Sequence, residues 1–245
     1  MLPGICKTFW NDSFIDPFDK TDQQKGVPTP LFELPFDEIN LIKLPNSQDL
    51  KYSSFDLSEF IDNRRTIRKY AEKPISINEL SFLLWATQGL TKNLSDERSL
   101  RTVPSAGARH SFETILLVNN VNGLKPGLYR YIVSKHKLLP LDFNKEEIEN
   151  LILGFRNINL VASSAVTFLW ICVPERMTWK FNERGYRYLL LDAGHICQNL
   201  YLAAEAVDCG CCAIGAFDDE EVNAVLKLDN SGHFLAYAAS IGKVT

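Results

Sequence analysis

The 245-residue chain has no long hydrophobic run. No window approaches eighteen apolar residues without a charged or polar break, so a membrane-spanning helix is not expected. Charge of one sign is lacking as well: 26 Lys and Arg stand against 30 Asp and Glu, a net charge of -4. That balance lacks the basic excess of a protein that lives on nucleic acid or on an anionic membrane, so any anion site must be local. The 6 cysteines, at positions 6, 172, 197, 209, 211 and 212, form neither a disulfide framework nor paired CxxC zinc hooks. Reduced, packing thiols and no metal site are expected. The opening "MLPGICKTFWNDSF" has neither a basic start nor a continuous apolar stretch, and these absences together point to a soluble cytoplasmic protein. Phosphate-loop and dinucleotide signatures are missing too: Gly107 is followed by Ala-Arg-His rather than by GK[ST], and there is no GxGxxG.

What is present reads as one α+β domain behind an arm. Residues 1–50 are irregular and proline-rich and form an N-terminal arm lying on the surface or on a partner, and residues 51–245 contain no repeat or linker. "DLSEFIDNRR" is predicted as a helix, with Leu57, Phe60 and Ile61 at helical spacing. "SINELSFLLWATQGLT" is a second, with Ser76 as cap, Glu79 three positions on and an end near Gly89. From Arg101 the pattern turns to strands, "ETILLVNN" and "GLYRYIVSKHKLLPL", and "NKEEIENLILGF" is again helical. "SSAVTFLWICV" is apolar and β-branched enough for a central strand. "YRYLLLDAGHICQNLYLAAEAV" is long and apolar enough for a buried central helix, and "FLAYAASIG" is a final strand before Lys243.

Three short stretches carry chemistry. "RRTIRKY" places Arg64, Arg65, Thr66, Arg68 and Lys69 directly after a helix; arginine forks and a threonine hydroxyl suit phosphate oxygens, although a solvated turn has the same composition. "PSAGARH" combines small residues with Arg109 and His110, as an anion-binding loop or a structural turn would. Ile214, Gly215 and Ala216 lie between the long helix and a short one capped by Asp218 or Asp219, where small residues let backbone approach a flat ligand. His195, inside the apolar helix, reads as a core histidine.

These stretches occur in one order, "RRTIRKY", "PSAGARHSFE", "KFNERGYRYLLLDAGHICQNLYLAAEAV", "IGAF" and a terminal "IGK". In that order and wording residues 52–245 resemble the nitroreductase-like flavoprotein superfamily, specifically its SagB-type dehydrogenase branch. The resemblance implies a mixed, mostly antiparallel central sheet flanked by helices, with the long buried helix at the core of an obligate homodimer that holds two FMN molecules at its interface. It implies that Arg64 and Thr66 bind the FMN phosphate side, with Arg65 adjacent, and that Arg68 approaches the pyrimidine edge. Pro104, Ser105, Ala106 and Gly107 would come from the other subunit to cover the ring and ribityl chain. Ile214, Gly215 and Ala216 would lie along the ring near N5, and Lys243 would return to the phosphate.

The implied activity is hydride transfer between flavin N5 and a small-molecule or peptide substrate, the branch's best-known role being oxidation of peptide azolines. A stand-alone NAD(P)H-dependent reductase of nitro, quinone or flavin compounds, or a flavin-binding partner without turnover, are the alternatives. The chain departs from its azoline-oxidising relatives at one point. Where they carry a Lys-Tyr pair held to manage the departing proton, this chain has Lys180 and Phe181. A phenyl ring cannot donate, accept or relay a proton, so Lys180 is left as the candidate base; Tyr186 or Tyr188 could substitute but are better suited to packing.

Overall fold

A computed structural model describes residues 4–15, 18–47, 56–229 and 231–245, the side chains of residues 4–7 excepted. The expected boundary between arm and domain, at residues 50 and 51, lies outside the described residues. The elements run α1 (Gly4–Asp12), β1 (Ile42–Lys43), α2 (Leu57–Asn63), β2 (Ile75–Ser76), α3 (Ile77–Gln88), β3 (Leu90–Ser95), β4 (Arg98–Arg101), β5 (Phe112–Val118), β6 (Val121–Asn122), β7 (Gly127–Ile132), β8 (Lys137–Pro140), α4 (Lys145–Leu153), α5 (Ile158–Ser163), β9 (Val166–Cys172), α6 (Glu175–Phe181), α7 (Gly185–Glu205), β10 (Cys209–Ile214), α8 (Asp219–Val225) and β11 (Phe234–Lys243).

Every residue of β5 and of β9 is buried, as strands covered on both faces must be. They sit inside a seven-stranded sheet of order β1-β8-β7-β5-β9-β11-β10, in which every neighbouring pair is antiparallel. The period of two divides the core into two layers. Leu116, Val118, Phe168, Trp170 and Ile241 face α3 and α7, whereas Ile115, Leu117, Leu169, Ile171 and Ala238 face α4, α5 and α8. The Ser76 cap forms as expected: its hydroxyl accepts the Glu79 N–H, and the Glu79 carboxylate accepts the Ser76 N–H.

Two sequence expectations are modified. The helix expected to be fully buried, α7, buries only one face within a single chain. Leu189, Ala193, Ile196, Leu200 and Ala204 point inward, while Leu190 and Leu191 remain 61% and 59% exposed and Tyr186 is exposed beside them. The β3–β4 hairpin was not foreseen. Its residues are polar and mostly exposed, so no apolar period announces it and ladder hydrogen bonds alone define it.

The arm is bound into the domain. β1 pairs with β8 at the sheet edge, and Phe32 and Glu33 are buried. Its backbone carbonyls are received by arginines rooted in the domain: Arg109 donates to Pro30 O at 3.2 Å, Arg176 to Leu31 O at 2.8 Å and Arg101 to Phe32 O at 2.9 Å. Glu113 on β5 joins this set. Its carboxylate meets Arg176 at 2.5 Å and Arg130 at 3.3 Å, and it accepts the Leu34 N–H at 2.9 Å. Burial pushes the Glu113 carboxyl up, but the Arg176 and Arg130 charges outweigh it and hold the group below the ordinary carboxylate range.

A carboxyl with a depressed folded-state pKa contributes stability above its unfolded pKa, about 4.3, and loses it as pH falls through the folded value. Glu113→Gln leaves two arginines without their buried countercharge and is expected to cost about 3–5 kcal/mol at pH 7. In urea unfolding the gap between wild type and Glu113→Gln should shrink once the pH falls below about 4. An equal gap at pH 3 and pH 7 contradicts this account.

Candidate active site

The cation-rich stretch begins where α2 stops. Asp56 caps α2 by accepting the Ser58 N–H at 2.9 Å, and beyond Asn63 the chain leaves the helix and lies flat across the β10 and β11 strands. Three hydrogen bonds hold it there. The Ile67 N–H donates to Cys211 O at 3.0 Å, the Ala71 N–H to Lys243 O at 2.9 Å and the Tyr70 hydroxyl to Ser240 O at 2.9 Å. Gly210 and Gly242 face each other in the β10–β11 register and make the approach possible. A Cβ on Gly210 would stand 2.6 Å from Ile67 Cβ, and one on Gly242 2.6 Å from Tyr70 Cγ. Sequence reading did not single out this glycine pair.

The strap thus presents Arg65 and Arg68 to solvent, with Arg64 half-buried and its guanidinium 5.3 Å from the centre of the Tyr201 ring. Arg65 donates to Asp62 O at 2.7 Å and to Arg64 O at 2.8 Å. The ion pairs found among the described residues do not include Arg64, Arg65 or Arg68. Tyr201 joins the strap to the end of β10: its hydroxyl accepts the Ala213 N–H at 2.9 Å and lies 3.1 Å from Thr66 Oγ1. The structure therefore brings Arg64–Thr66 together with the segment leading into Ile214, Gly215 and Ala216, of which the last two are exposed. Lys243 is more committed. Its ammonium donates to Glu79 at 2.7 Å and to Val207 O at 2.6 Å, and it stands against the Cys209 thiol as well.

The Pro104–Gly107 loop lies elsewhere in the same chain. The Ala106 N–H donates to Asp192 Oδ1 at 3.2 Å, and Ser105 Oγ accepts the His110 N–H at 2.8 Å. Gly107 adopts φ +59°, and a Cβ there would stand 3.0 Å from Lys180 Cδ and from Phe181 Cζ. Lys180 is thus placed against the loop. Phe181 packs edge-on to Tyr188 with ring centres 4.9 Å apart, so Tyr188 is a packing residue here. The two cations that made this loop resemble an anion site turn inward: Arg109 donates to Arg176 O at 2.8 Å and stacks on Trp179, and burial pushes His110 down to about 3. His195, expected in the core, is exposed.

Asp192 and Tyr201 escaped sequence reading. Both are buried on α7, nine residues apart, which at 1.5 Å per residue separates their attachments by about 14 Å. A signal existed, because a carboxylate inside an apolar helical stripe requires a donor from outside the helix.

A flat ligand with an anionic end suits such a strap and loop, and an antiparallel sheet between helical layers carries them. Comparison with known proteins defines the class as an oxidoreductase. The nitroreductase family profile matches residues 61–243, and the chain belongs to that family. It is 33% identical over 187 residues to the nitroreductase homologue MJ1384 of Methanocaldococcus jannaschii, covering 76% of this chain and 89% of that one. It is 28% identical to the trifolitoxin-processing protein TfxB of Rhizobium leguminosarum bv. trifolii, covering 61% of this chain but 41% of TfxB. Among solved structures it is similar to a nitroreductase homologue of Anabaena variabilis (TM-score 0.63, 30% identity, 78% of this chain and 38% of that one). It shares its fold with the Escherichia coli microcin synthetase McbBCD complex bound to truncated pro-MccB17 (TM-score 0.63, 18% identity, 97% of this chain and 86% of that one). The same fold occurs in a Desulfovibrio desulfuricans homologue crystallised with FMN (TM-score 0.55, 18% identity, 79% and 88%). Among the described residues no group of His, Cys, Asp or Glu could hold a metal ion, and no helix is long and apolar enough to cross a membrane.

Gly210→Ala tests the strap. The added methyl meets the Ile67 side chain at its branch point, so the strap must lift. Amide hydrogen exchange at Ile67 and Ala71 is expected to quicken about tenfold or more while the protein stays folded by circular dichroism, and unchanged exchange there contradicts the glycine-pair argument.

Proposed function

We propose that the protein is an FMN-dependent oxidoreductase of the SagB type that moves a hydride between the flavin and a bound substrate. The observation that carries this reading is the strap: three arginines, absent from the ion pairs of the described residues, held by a glycine pair beside the turn at Ile214–Ala216. That donor set fits FMN, with an anionic phosphate at one end and a flat ring at the other. FMN, when bound, supplies the hydride-exchanging N5.

The chain's own residues do the rest. Arg64 and Thr66, with Arg65 beside them, bind the phosphate side, and Lys243, at the end of β11, adds its charge to that side. Arg68 sets a fixed positive charge at the pyrimidine edge, which favours the reduced, more negative flavin over the oxidised one. Ile214, Gly215 and Ala216 form the ring-facing wall. Pro104, Ser105, Ala106 and Gly107 cover the ring from a second copy of the chain. Attachment of the loop and the strap to separate stretches of α7, whose outward face carries Leu190 and Leu191, supports a homodimer in which each protomer keeps one half-site and lends the other. Lys180, beside the loop, is the group placed to hold or accept a proton. The reading is of a cytoplasmic enzyme with no nucleic-acid partner.

Phe181 favours a second reading of the substrate. With a phenyl ring in place of the phenol, the azoline-oxidising proton relay is half missing, and an NAD(P)H-dependent reductase of nitro, quinone or flavin compounds becomes the better candidate.

Cofactor released by heat is expected to chromatograph as FMN; recovery of FAD, or a colourless protein that ignores added FMN, overturns the proposal. NADH or NADPH should bleach the yellow protein, whereas a thiazoline peptide should do so poorly until Phe181→Tyr is introduced. Efficient wild-type azoline oxidation that survives Lys180→Ala contradicts the relay argument. Arg64→Ala should lower FMN affinity by about ten- to a hundredfold, as loss of a charge-assisted hydrogen bond does. Arg68→Ala should shift the midpoint potential instead. Co-expressing an Arg64→Ala/Arg68→Ala chain with one altered at Ser105–Gly107 should restore one intact site per heterodimer, and heterodimers without activity exclude a site shared between subunits.

A further inference from the structure

Helix α7 interrupts its apolar stripe twice with buried polar side chains. Asp192 is 3% exposed; its Oδ1 accepts the Ala106 N–H, and its Oδ2 has no hydrogen-bond partner. Tyr201 is 9% exposed, and its hydroxyl accepts from the Ala213 N–H and bonds Thr66 Oγ1. Buried polar groups of this kind are costly unless they secure something; the Tyr201 ring packs in the core, but its hydroxyl and the Asp192 carboxyl add nothing to packing. Ala193 and Ile196, Leu200 and Ala204 already fill the neighbouring inward positions. Each interruption instead ends on a different segment of the site. Asp192 reaches the middle of the Pro104–Gly107 loop, which is otherwise closed on itself by the Ser105–His110 hydrogen bond and by the Ala108 and Arg109 N–H groups donating to Ser105 O and Ala106 O. Tyr201 takes the strap on one side and the β10 backbone on the other.

We propose that Asp192 and Tyr201 are positioning residues through which α7 sets both half-sites, Asp192 holding the loop that a protomer lends and Tyr201 holding the strap that it keeps. The proposal rests on the flavin reading above. A regular helix spaces the two attachments rigidly, so the separation of strap and loop is a property of α7 rather than of either loop. Burial pushes the Asp192 carboxyl up against the pull of the Ser105 hydroxyl and the Ala106 N–H. Its contact with the loop backbone is the Ala106 N–H that Oδ1 accepts. Asparagine retains an acceptor oxygen at the same place.

The test compares Asp192→Ala, Asp192→Asn and Tyr201→Phe with wild type by amide hydrogen exchange in the flavin-free protein and by FMN titration and turnover in the reconstituted one. Asp192→Ala should deprotect residues 105–107, Ala106 above all, and leave residues 64–68 as they were, and Tyr201→Phe should do the reverse and expose the Ala213 amide. With FMN, Tyr201→Phe should raise the dissociation constant about tenfold, a loss of turnover that excess FMN recovers. Asp192→Ala should lower turnover at least about tenfold in a way excess FMN does not recover, and Asp192→Asn should return to within about threefold of wild type. Equal deprotection of both segments by either variant, or an Asp192→Asn protein as impaired as Asp192→Ala, overturns the proposal. Selective deprotection in a protein whose wild type ignores FMN leaves the two attachments standing and overturns the flavin reading instead.

Discussion

The buried contact between Glu113 and Arg176 is the constraint on which most of this molecule hangs. It joins the central strand β5 to the first turn of α6, and the same carboxylate takes a backbone N–H from the arm and a second arginine from β7. Arg176 continues outward to the carbonyls of Leu31 and His110. One carboxylate therefore places the sheet, the arm, α6 and the end of the Pro104–His110 loop relative to each other. Lys180 stands one turn along α6 from Arg176, so its approach to Gly107 follows from a charge pair at the other end of the helix. A pair this deep contributes little net free energy compared with an apolar substitute, but losing either half strands a charge, and its geometry has to be kept.

The second support is α7, which behaves as a spacer. Its inner face packs on the sheet and carries Asp192 and Tyr201 to the loop and the strap, while its outer face leaves Leu190 and Leu191 bare. Strap and loop are made by opposite means. The strap needs an absence of side chains, since Gly210 and Gly242 open the sheet surface to Ile67 and Tyr70. The loop needs a left-handed Gly107 with Lys180 and Phe181 pressed close. The first arrangement leaves arginines facing outward without carboxylates in the ion pairs of the described residues, and the second leaves a lysine beside a phenyl ring.

Membership of the nitroreductase family accounts for the sheet and its two helical layers. It does not choose between reductase and azoline dehydrogenase, because one scaffold hosts many chemistries. The chain spans 41% of TfxB, so what TfxB processes does not transfer with the shared region.

By itself the sequence determined the elements whose signal is local or strongly periodic. The Ser76 capping box, the buried central strand β9, the strand character of β5 and β7 and the presence and length of α7 all follow from caps, runs and periods within a few residues, whereas the burial of β5 on both faces does not. The order of the motifs was enough to assign the family. Tertiary structure alone decided where polar groups found partners. Arg109 and His110 have the composition of an anion loop yet turn inward: the arm and the Arg176 carbonyl offer Arg109 its partners from 67 to 79 residues away in sequence, and the His110 imidazole is buried toward the Ser99 backbone. Asp192, Tyr201 and the Gly210–Gly242 pair carry no sequence pattern of their own, since each acts on a segment brought to it only when the sheet and α7 close together. The outward face of α7 is the converse case: its apolar period reads as burial, yet Leu190 and Leu191 stay exposed because among the described residues no element covers them.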